Sequence, residues 1–330
     1  MKLGVLGIDH GHIFGMLSNM LREGATCERW WTGGPAVTEE KFRATFDLER
    51  VEDRRRILED PSIDMVLISA VPADRAGLAI EAMEASKDVM VDKPGCTTMD
   101  QLERLRGVQA RTGRIWTVNF SERFEVPAVT RAESLIFGGA IGRVIQTVGL
   151  GPHKQNLRTR PPWYFERERY GGILCDIGSH QIDQFLHLTG STEGEVVHAH
   201  VENSTMPERP GFQDYGEMTL RAPGAHGFVR VDWFTPDGLP TWGDGRLFVL
   251  GTEGTIELRK YTDIGRPHAT NRLFLVNGEE NAMIECDDAG LPYFGRLIAD
   301  VRDRTETAVS QAHTFRVSEL ALRAQTMAEA

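Results

Sequence analysis

The run Ile63-Asp64-Met65-Val66-Leu67-Ile68-Ser69 decides the fold class of this chain. A short, dense apolar run of this kind is typical of a central strand in a parallel sheet, because such a strand is buried on both faces. Similar strand patterns stand before and after it, at residues 3–8, 25–31, 89–91 and 114–120.

Helical patterns fill intervals between these strands, at residues 11–23, 74–86 and 99–111, and Thr97 or Thr98 is the expected N-cap of the last one. Strands that alternate with helices are connected by right-handed crossovers, and they form a parallel sheet that helices cover on both faces. We therefore predict an α/β fold whose N-terminal domain, residues 1–120, is a Rossmann-like, doubly wound parallel sheet.

The pattern changes in the second half of the chain, where strand-like segments follow one another with turn residues between them. These segments are residues 144–150, 195–202, 216–221, 227–234, 246–250, 255–259 and 272–276. Such a series is typical of an antiparallel sheet. We predict a C-terminal α+β domain, residues 121–330, with a mostly antiparallel open sheet, one helix at about 175–188 and a last helix at about 317–327 that packs back on one domain, with the first as the candidate.

Composition and charge exclude several classes of protein. The 330 residues carry 37 basic and 48 acidic side chains, a formal net charge of −11, which repels nucleic acid. The four cysteines are scattered without a paired motif, as in reduced intracellular enzymes. No apolar stretch is long enough to cross a membrane, and the N-terminus is unlike a signal peptide. We expect a cytoplasmic protein that binds neither membranes nor nucleic acid.

The turn after the first predicted strand reads Gly7-Ile8-Asp9-His10-Gly11-His12. In doubly wound sheets this turn and the helix N-terminus that follows it bind the phosphates of a dinucleotide. Gly7 occupies the first glycine position of the usual G-x-G-x-x-G fingerprint, whereas Asp9 replaces the second glycine. Gly7, Asp9, His10, Gly11 and His12 are predicted to contact the cofactor. The two histidines could instead bind a metal, but no cysteine or carboxylate cluster is nearby in the sequence, so no metal site is predicted.

The second predicted strand ends at Trp30-Trp31-Thr32-Gly33-Gly34. In NAD enzymes an Asp or Glu at this point holds the adenosine ribose. Its absence favours NADP, although no adjacent Arg is present to hold a 2′-phosphate, so the predicted cofactor is NAD or NADP. Further contacts with it are predicted at strand ends and the loops after them: Thr32, Ser69, Pro72, Asp92, Lys93 and Asn119.

Two further segments suggest chemistry. In Asp92-Lys93-Pro94-Gly95 the proline restricts Lys93 to an extended backbone at the C-terminal end of a strand. A simple surface turn could have the same sequence. The segment Gly171-Gly172-Ile173-Leu174-Cys175-Asp176-Ile177-Gly178-Ser179-His180 has Asp176 and His180 four residues apart, so they share one face of a helix. Together the two segments favour a catalytic site.

In these segments the chain resembles the Gfo/Idh/MocA oxidoreductases. Members of that family carry Glu-Lys-Pro after the fifth strand, here Asp92-Lys93-Pro94, and a later G-G-x-x-x-D-x-x-x-H segment, here residues 171–180. Residues 118–124, 139–142 and 251–255 are also similar. The resemblance spans nearly the whole chain, in the same order and spacing.

The resemblance implies NAD(P)-dependent hydride transfer at a hydroxyl or carbonyl carbon of a sugar, inositol or related polyol. It implies that Lys93, Asp176 and His180 face the nicotinamide, and that the open sheet forms a homodimer or homotetramer. The chain departs from the family in Asp92, where Glu is commoner, and in the loop at residues 72–75, which lacks the usual Asn and His.

His180 is the expected base, because histidine titrates near neutral pH. Lys93 would donate a hydrogen bond to the reacting oxygen, and Asp176 would orient one of these groups or hold a substrate hydroxyl. In some family members the lysine is the base, and both assignments stay open here. His153 and Trp163 are predicted substrate contacts, because rings in loops suit stacking on a sugar.

Two alternative functions remain compatible with the sequence. Some relatives are similar in fold and use bound NAD to cleave glycosides without a net change of the cofactor. A non-catalytic regulator that binds the cofactor is the other alternative; the altered glycine loop favours it, and the intact Lys93, Asp176 and His180 argue against it.

Overall fold

A computed structural model describes residues 1–266 and 270–330. The chain folds into two compact units. The first consists of Met1–Phe120, Arg158–Gly171 and Pro292–Ser318, and the second of Ser121–Leu157, Gly172–Leu291 and Glu319–Ala330. The predicted division at residue 120 coincides with the end of the first segment, whereas two later segments return to the first unit. The last helix contributes residues to both units.

The first unit contains a parallel sheet of six described strands, in the order β3-β2-β1-β4-β5-β6. The strands are β1 (Lys2–Ile8), β2 (Thr26–Trp31), β3 (Glu49–Arg50), β4 (Met65–Ser69), β5 (Asp88–Asp92) and β6 (Trp116–Asn119). This order is that of the Rossmann fold, with the switch point between β1 and β4. The predicted doubly wound sheet is confirmed, and only the two-residue edge strand β3 was not predicted.

The described helices alternate with these strands and continue into the rest of the chain. In chain order they are α1 (His12–Arg22), α2 (Glu39–Thr45), α3 (Arg55–Leu58), α4 (Pro72–Glu84), α5 (Met99–Thr112), α6 (Ser121–Phe124), α7 (Pro127–Phe137), α8 (Arg167–Tyr170), α9 (Ser179–Thr189), α10 (Pro292–Asp303) and α11 (Gln311–Ala328).

Local sequence explains where the principal helices of the first unit begin and end. Proline at the first position starts α4, since its missing N–H has no partner there in any helix. Thr98 caps α5 by accepting a hydrogen bond from the Gln101 N–H at 3.2 Å, and Gly113 in the left-handed conformation ends it. The central strands β4 and β5 are buried along their whole length, as their continuous apolar sequence predicts.

The second unit contains a sheet of eight described strands, in the order β14-β13-β12-β11-β7-β10-β9-β8. The strands are β7 (Val144–Pro152), β8 (Glu195–Glu202), β9 (Tyr215–Ala222), β10 (Ala225–Asp232), β11 (Arg246–Gly251), β12 (Gly254–Arg259), β13 (Arg272–Asn277) and β14 (Asn281–Glu285). Among the described strands of this second sheet, only β7 and β10 pair in parallel. The predicted antiparallel sheet is confirmed, with β14 as an additional edge strand.

Helix α7 covers the core of this second sheet, although it was not predicted. Its apolar side chains Val129, Ala132 and Ile136 belong to the same buried cluster as Leu247 and Leu273 of the sheet. Their burial explains why this segment is a helix despite its mixed sequence. Among the described residues, no helix is both long and apolar enough to cross a lipid bilayer.

Candidate active site

Asp92, at the end of β5, is the centre of a polar cluster in the first unit. Its carboxylate is fully buried and accepts hydrogen bonds from Arg75 at 2.9 Å and from the Ser69 hydroxyl at 3.2 Å on Oδ2. His12 Nδ1 lies 2.8 Å from Oδ1, and His10 Nδ1 lies 3.0 Å from Oδ2. Burial raises the pKa of Asp92, but Arg75, His12 and His10 lower it well below its usual range, so the carboxylate is ionised.

The ionised carboxylate sets the direction of its hydrogen bond with His12, whereas burial sets the charge of His10. Because Asp92 can only accept, His12 donates its Nδ1–H to it. Burial lowers the pKa of His10 to about 4 against the opposing effect of Asp92, so this imidazole is neutral at pH 7.

One ligand atom each from His10, His12 and Asp92 lies within 4.8 Å of the others, a spacing that could hold a metal ion. The expectation that no carboxylate lies near these histidines is wrong in the structure, because Asp92 lies beside them although 80 residues separate it from His12. Arg75 already provides the positive charge that balances the carboxylate.

Arg75 holds the loop that carries Lys93. Its side chain is completely buried, and Nη1 donates to the Asp92 carbonyl at 3.0 Å, to the Lys93 carbonyl and to the Pro94 carbonyl at 3.1 Å. Nε donates to the Ala70 carbonyl at 2.7 Å. In the sequence, Arg75 stands out only as part of a loop that departs from the family pattern. A charged side chain in an amphipathic helix gives no signal in sequence that it turns inward.

Gly7 allows the turn after β1 to pass close to the next strand. Its φ is +81°, and a Cβ built there would lie 2.5 Å from the Ala70 Cβ. An L side chain would therefore meet both backbone strain and a steric clash. Ser69 connects this turn to β5, since its hydroxyl also lies 3.1 Å from the His10 carbonyl oxygen. Asn119, at the end of β6, is opposite Asp92 in the sheet register and is fully buried.

A cavity of about 620 Å³ opens beside this cluster in the first unit. Its lining includes Asp9, Trp31, Trp163 and Arg169. Burial raises the pKa of Asp9 to about 6, with Arg75 opposing the shift. Trp163, predicted as a substrate contact, thus lies with predicted cofactor contacts rather than with His153, which belongs to the second unit. Pro72 begins the helix that borders the same cavity.

Arg54 lies near the end of β2 although it follows Trp31 by more than twenty residues. Its guanidinium is 5.3 Å from the centre of the Trp31 ring, and it forms a two-point ion pair with Glu81 at 2.7 and 3.0 Å. Arg54 therefore lies beside the end of this strand in the structure, and the expectation that no Arg is adjacent to it is wrong. In sequence, Arg54 is indistinguishable from its neighbours Arg55 and Arg56, which face solvent.

The first unit fits a dinucleotide on observations independent of any family. A Cβ at Gly11, directly before α1, would have no atom within 4 Å, so the backbone there is open to close approach. The Thr32 hydroxyl is buried and has no hydrogen-bond partner among the described residues. The glycines Gly33 and Gly34 line the cavity between these points. Open main chain, an orphaned donor and a cavity of this size suit a nucleotide.

In the second unit Asp176 and His180 lie on consecutive turns of one helical segment. Leu174–Gly178 form a π-helical turn, and α9 begins at Ser179 directly after it. Both side chains are buried, with 4% and 1% exposure. The predicted helix starting at residue 175 is thus correct in position but begins with a wide turn, a feature that recurs at functional sites.

A buried polar network in the same unit holds helix α9 at Gln181 and Asp183. Arg123 makes a two-point ion pair with Asp183 of α9, with both distances 2.7 Å. Glu122 accepts hydrogen bonds from Gln181 at 2.8 Å and from Lys260 at 2.7 Å. Glu122 and Arg123 stand in a segment that resembles the family, but neither was predicted to have a role, and nothing in the sequence marks Lys260.

His153, the other predicted substrate contact, lies after β7 in a cluster of aromatic rings. Its ring centre is 4.4 Å from that of Trp242 and 5.3 Å from that of Trp233. The ring centre of Tyr261 also lies 4.5 Å from that of Trp242. Such a group of flat rings with polar edges can stack on the apolar face of a sugar.

Comparison with protein families agrees with this geometry. Residues 35–120 match the family described as "Oxidoreductase family, NAD-binding Rossmann fold". Residues 129–257 match the "GFO/IDH/MocA C-terminal domain". The chain belongs to the Gfo/Idh/MocA family. The resemblance inferred from the sequence motifs is confirmed.

Two named dehydrogenases and one solved structure are similar in sequence to this chain. The scyllo-inositol 2-dehydrogenase (NAD(+)) of Bacillus subtilis is 31% identical over 62% of this chain and 58% of its own length. The levoglucosan dehydrogenase of Pseudarthrobacter phenanthrenivorans is 33% identical over 76% of this chain and 62% of its own length. A solved crystal structure from Erwinia carotovora atroseptica is 40% identical, covers 99% of this chain and 98% of its own, and superimposes with a TM-score of 0.96. The matches to the two named dehydrogenases thus span less than two thirds of their lengths.

Proposed function

We propose that this member of the family is an NAD(P)-dependent dehydrogenase or reductase that acts on a CH–OH or carbonyl carbon of a sugar, inositol or related polyol. The observation that carries the proposal is the buried pair of Asp176, on the turn that leads into α9, and His180, in the first turn of α9. A family member that retains this pair and also Lys93 after β5 has the groups that proton and hydride transfer need.

The cofactor would be held by the first unit. Asp9, Gly11 and Thr32 would contact it, and the cavity beside Asp9 would take its adenosine half. The absence of an acid after β2, together with Arg54 beside Trp31, favours NADP, because a guanidinium suits a phosphate and a carboxylate does not. When bound in the first unit, the cofactor would supply the hydride acceptor in the oxidative direction and the hydride donor in the reductive direction.

The side chains of this protein would handle the proton and the developing charge. In the oxidative direction His180 would accept the proton of the substrate hydroxyl, while the hydride leaves the same carbon and a carbonyl forms. Lys93 would donate a hydrogen bond to the oxygen and stabilise its alkoxide character. Asp176 would accept a hydrogen bond from a neighbouring hydroxyl of the substrate. The rings of His153 and Trp242 would contact the apolar face of the substrate.

The test is cofactor reduction by the purified protein with a panel of inositols, sugars and anhydrosugars, measured with NAD and NADP separately. Production of reduced cofactor with at least one polyol, together with the matching ketone, is expected. Absence of reduction across the panel in both directions, with tight cofactor binding by calorimetry, would overturn the proposal and support a non-catalytic regulator. Sugar cleavage without net reduction would support the glycosidase instead. No relative supports either alternative.

We further propose that a second copy of the chain covers the sheet of the second unit. Phe228, Phe248, Leu250, Val276 and Met283 are exposed on its strands, each by 36% to 47%. Apolar side chains of this number on one sheet are typical of an interface. Light scattering should give the mass of a dimer or tetramer, and a monomer would contradict the proposal.

A cytoplasmic location stays a prediction from the sequence.

A further inference from the structure

A second ion pair, unused by the proposed chemistry, is buried in the second unit. Glu122 of α6 and Lys260 after β12 are each 1% exposed, and Lys260 Nζ lies 2.7 Å from Glu122 Oε2. Two fully buried charges cost free energy of desolvation that an apolar pair of the same volume would not. Stability alone is therefore a weak explanation for this pair.

The pair is connected directly to the helix that carries His180. Gln181, the next residue along α9, donates from Nε2 to Glu122 Oε2 at 2.8 Å. Gln181 is itself fixed against β7, because a Cβ at Gly149 would lie 2.5 Å from its Oε1. The other carboxylate oxygen of Glu122, Oε1, is buried and has no hydrogen-bond partner among the described residues. The negative charge is therefore rigidly placed and only partly compensated.

Electrostatics link Glu122 to the catalytic histidine. Burial raises the pKa of Glu122, but Lys260, then His180 and then His153 lower it to about 2, so Glu122 is ionised at neutral pH. Other titratable groups of the second unit also face this region. Tyr261 lies beside Lys260, and burial, Glu122 and Glu125 raise its pKa well above its usual range, so it is neutral. Asp176 precedes His180 on the same helical segment.

We propose that Glu122 and Lys260 are positioning residues that set the proton affinity of His180. The proposal rests on the proposed function only in naming His180 as the base. Glu122 stabilises the imidazolium that forms when the proton of the substrate hydroxyl moves to His180. Lys260 offsets part of that stabilisation, so that the imidazole is neutral before the reaction. Neither residue exchanges a proton or contacts the substrate.

The experiment is an NMR titration of the His180 ring in the full-length protein, which needs no substrate. The signal is assigned by its loss in His180→Gln. Glu122→Gln leaves Lys260 uncompensated and should lower the His180 midpoint by about 0.5 to 1 pH unit. Lys260→Met leaves Glu122 uncompensated and should raise it. The double variant removes both charges and should return the midpoint close to that of the wild type.

In a purely structural role, each substitution would only disturb the site further. Opposite shifts of the His180 midpoint in the two single variants, which cancel in the double variant, would not arise from such a role. The double variant is expected to fold, because neutral replacements of a buried ion pair are often tolerated. Asp214→Asn is the matched control, since it removes another buried carboxylate of the same unit, one that accepts hydrogen bonds from Ser204 and Thr205. It should leave the His180 midpoint unchanged.

The outcomes separate this inference from the proposed function. Midpoints that do not move, or that move in the same direction in both single variants, overturn the inference even when the wild type is active. Wild-type protein without turnover on any polyol overturns the proposed function, while the NMR result still decides the role of Glu122 and Lys260. In an active enzyme, the acidic limb of the kcat profile should move with the His180 midpoint. If one single variant does not fold, the other single variant is compared with the double variant. That comparison still gives the direction in which one charge moves the His180 midpoint.

Discussion

The guanidinium of Arg75 and the carboxylate of Asp92 form a fully buried ion pair, with Nη2 and Oδ2 2.9 Å apart. The same guanidinium also binds main-chain carbonyls of Asp92, Lys93 and Pro94. One side chain of α4 thus neutralises the charge beside the first turn and positions the backbone of Lys93.

Replacing Arg75 should destabilise the protein strongly. Arg75→Met leaves Asp92 buried without its main charge partner, which is expected to lower the free energy of unfolding by about 3–5 kcal/mol. Chemical denaturation measures this. Arg111→Met is the control, because Arg111 pairs with Glu84 at the surface and exposed pairs contribute little. Equal effects of the two substitutions would contradict a special role for Arg75.

Gly7 should be intolerant of a side chain for two separable reasons. Gly24 has a similar φ of +88° but has nothing within 4 Å of a built Cβ, so Gly24→Ala measures backbone strain alone, about 1 kcal/mol. Gly7→Ala adds the clash with Ala70 and should cost about 3 kcal/mol or more. Thermal unfolding of both variants compares these costs. Equal melting temperatures of the two alanine variants would refute the close packing at the first turn.

Asp9 should make cofactor binding depend on pH. Because burial raises its pKa to about 6, Asp9 is neutral below that pH and ionised above it. An ionised Asp9 repels the pyrophosphate, so the Kd for the cofactor should rise as the pH increases from 5 to 7.5, by about tenfold for each unit by which binding shifts the pKa. In Asp9→Asn the dependence should disappear and binding at pH 7.5 should be tighter. Calorimetry at several pH values tests this, and an unchanged dependence in the variant would exclude Asp9 as its source.

Arg54 should discriminate between the two cofactors. Arg54→Ala is expected to raise the Kd for NADP about tenfold while leaving that for NAD nearly unchanged, since only NADP offers a 2′-phosphate. Arg55→Ala is the control, because Arg55 is 71% exposed and pairs with Asp53. Glu81→Gln should have the opposite effect and strengthen NADP binding by releasing Arg54. Loss of affinity for both cofactors in Arg54→Ala would assign it to adenine binding instead.

Lys93 and His180 should be required for turnover but not for cofactor binding. Lys93→Met and His180→Gln are each expected to lower kcat by about 10²-fold or more, because a base and a hydrogen-bond donor to the reacting oxygen are lost. Calorimetry should give a cofactor Kd close to that of the wild type. His187→Gln, on the same helix but paired with Glu133, should retain kcat. A near-normal rate in either catalytic variant would refute its assigned role.

Much of the fold could be predicted because its signals are local. The buried strands β4 and β5 are continuous apolar runs, and the cap at Thr98 and the stop at Gly113 are properties of a few neighbouring residues. Helices α7 and α10 escaped prediction because their apolar residues are mixed with polar ones, and tertiary packing stabilises them. The short strands β3 and β14 are edges that exist only through pairing with a neighbour.

By itself, the sequence determined the two kinds of sheet and the first turn at Gly7, because each of these depends on residue type and short spacing. For the same reason it also predicted Lys93, Asp176 and His180 as candidate catalytic residues. Only the tertiary structure decided which distant charges meet. Asp92 meets His10, His12 and Arg75, Arg54 meets Trp31, and Glu122 meets Lys260 across 138 residues. The physical reason is that a charge is stable in the interior only beside its partner, and the fold rather than the order of residues brings that partner to it.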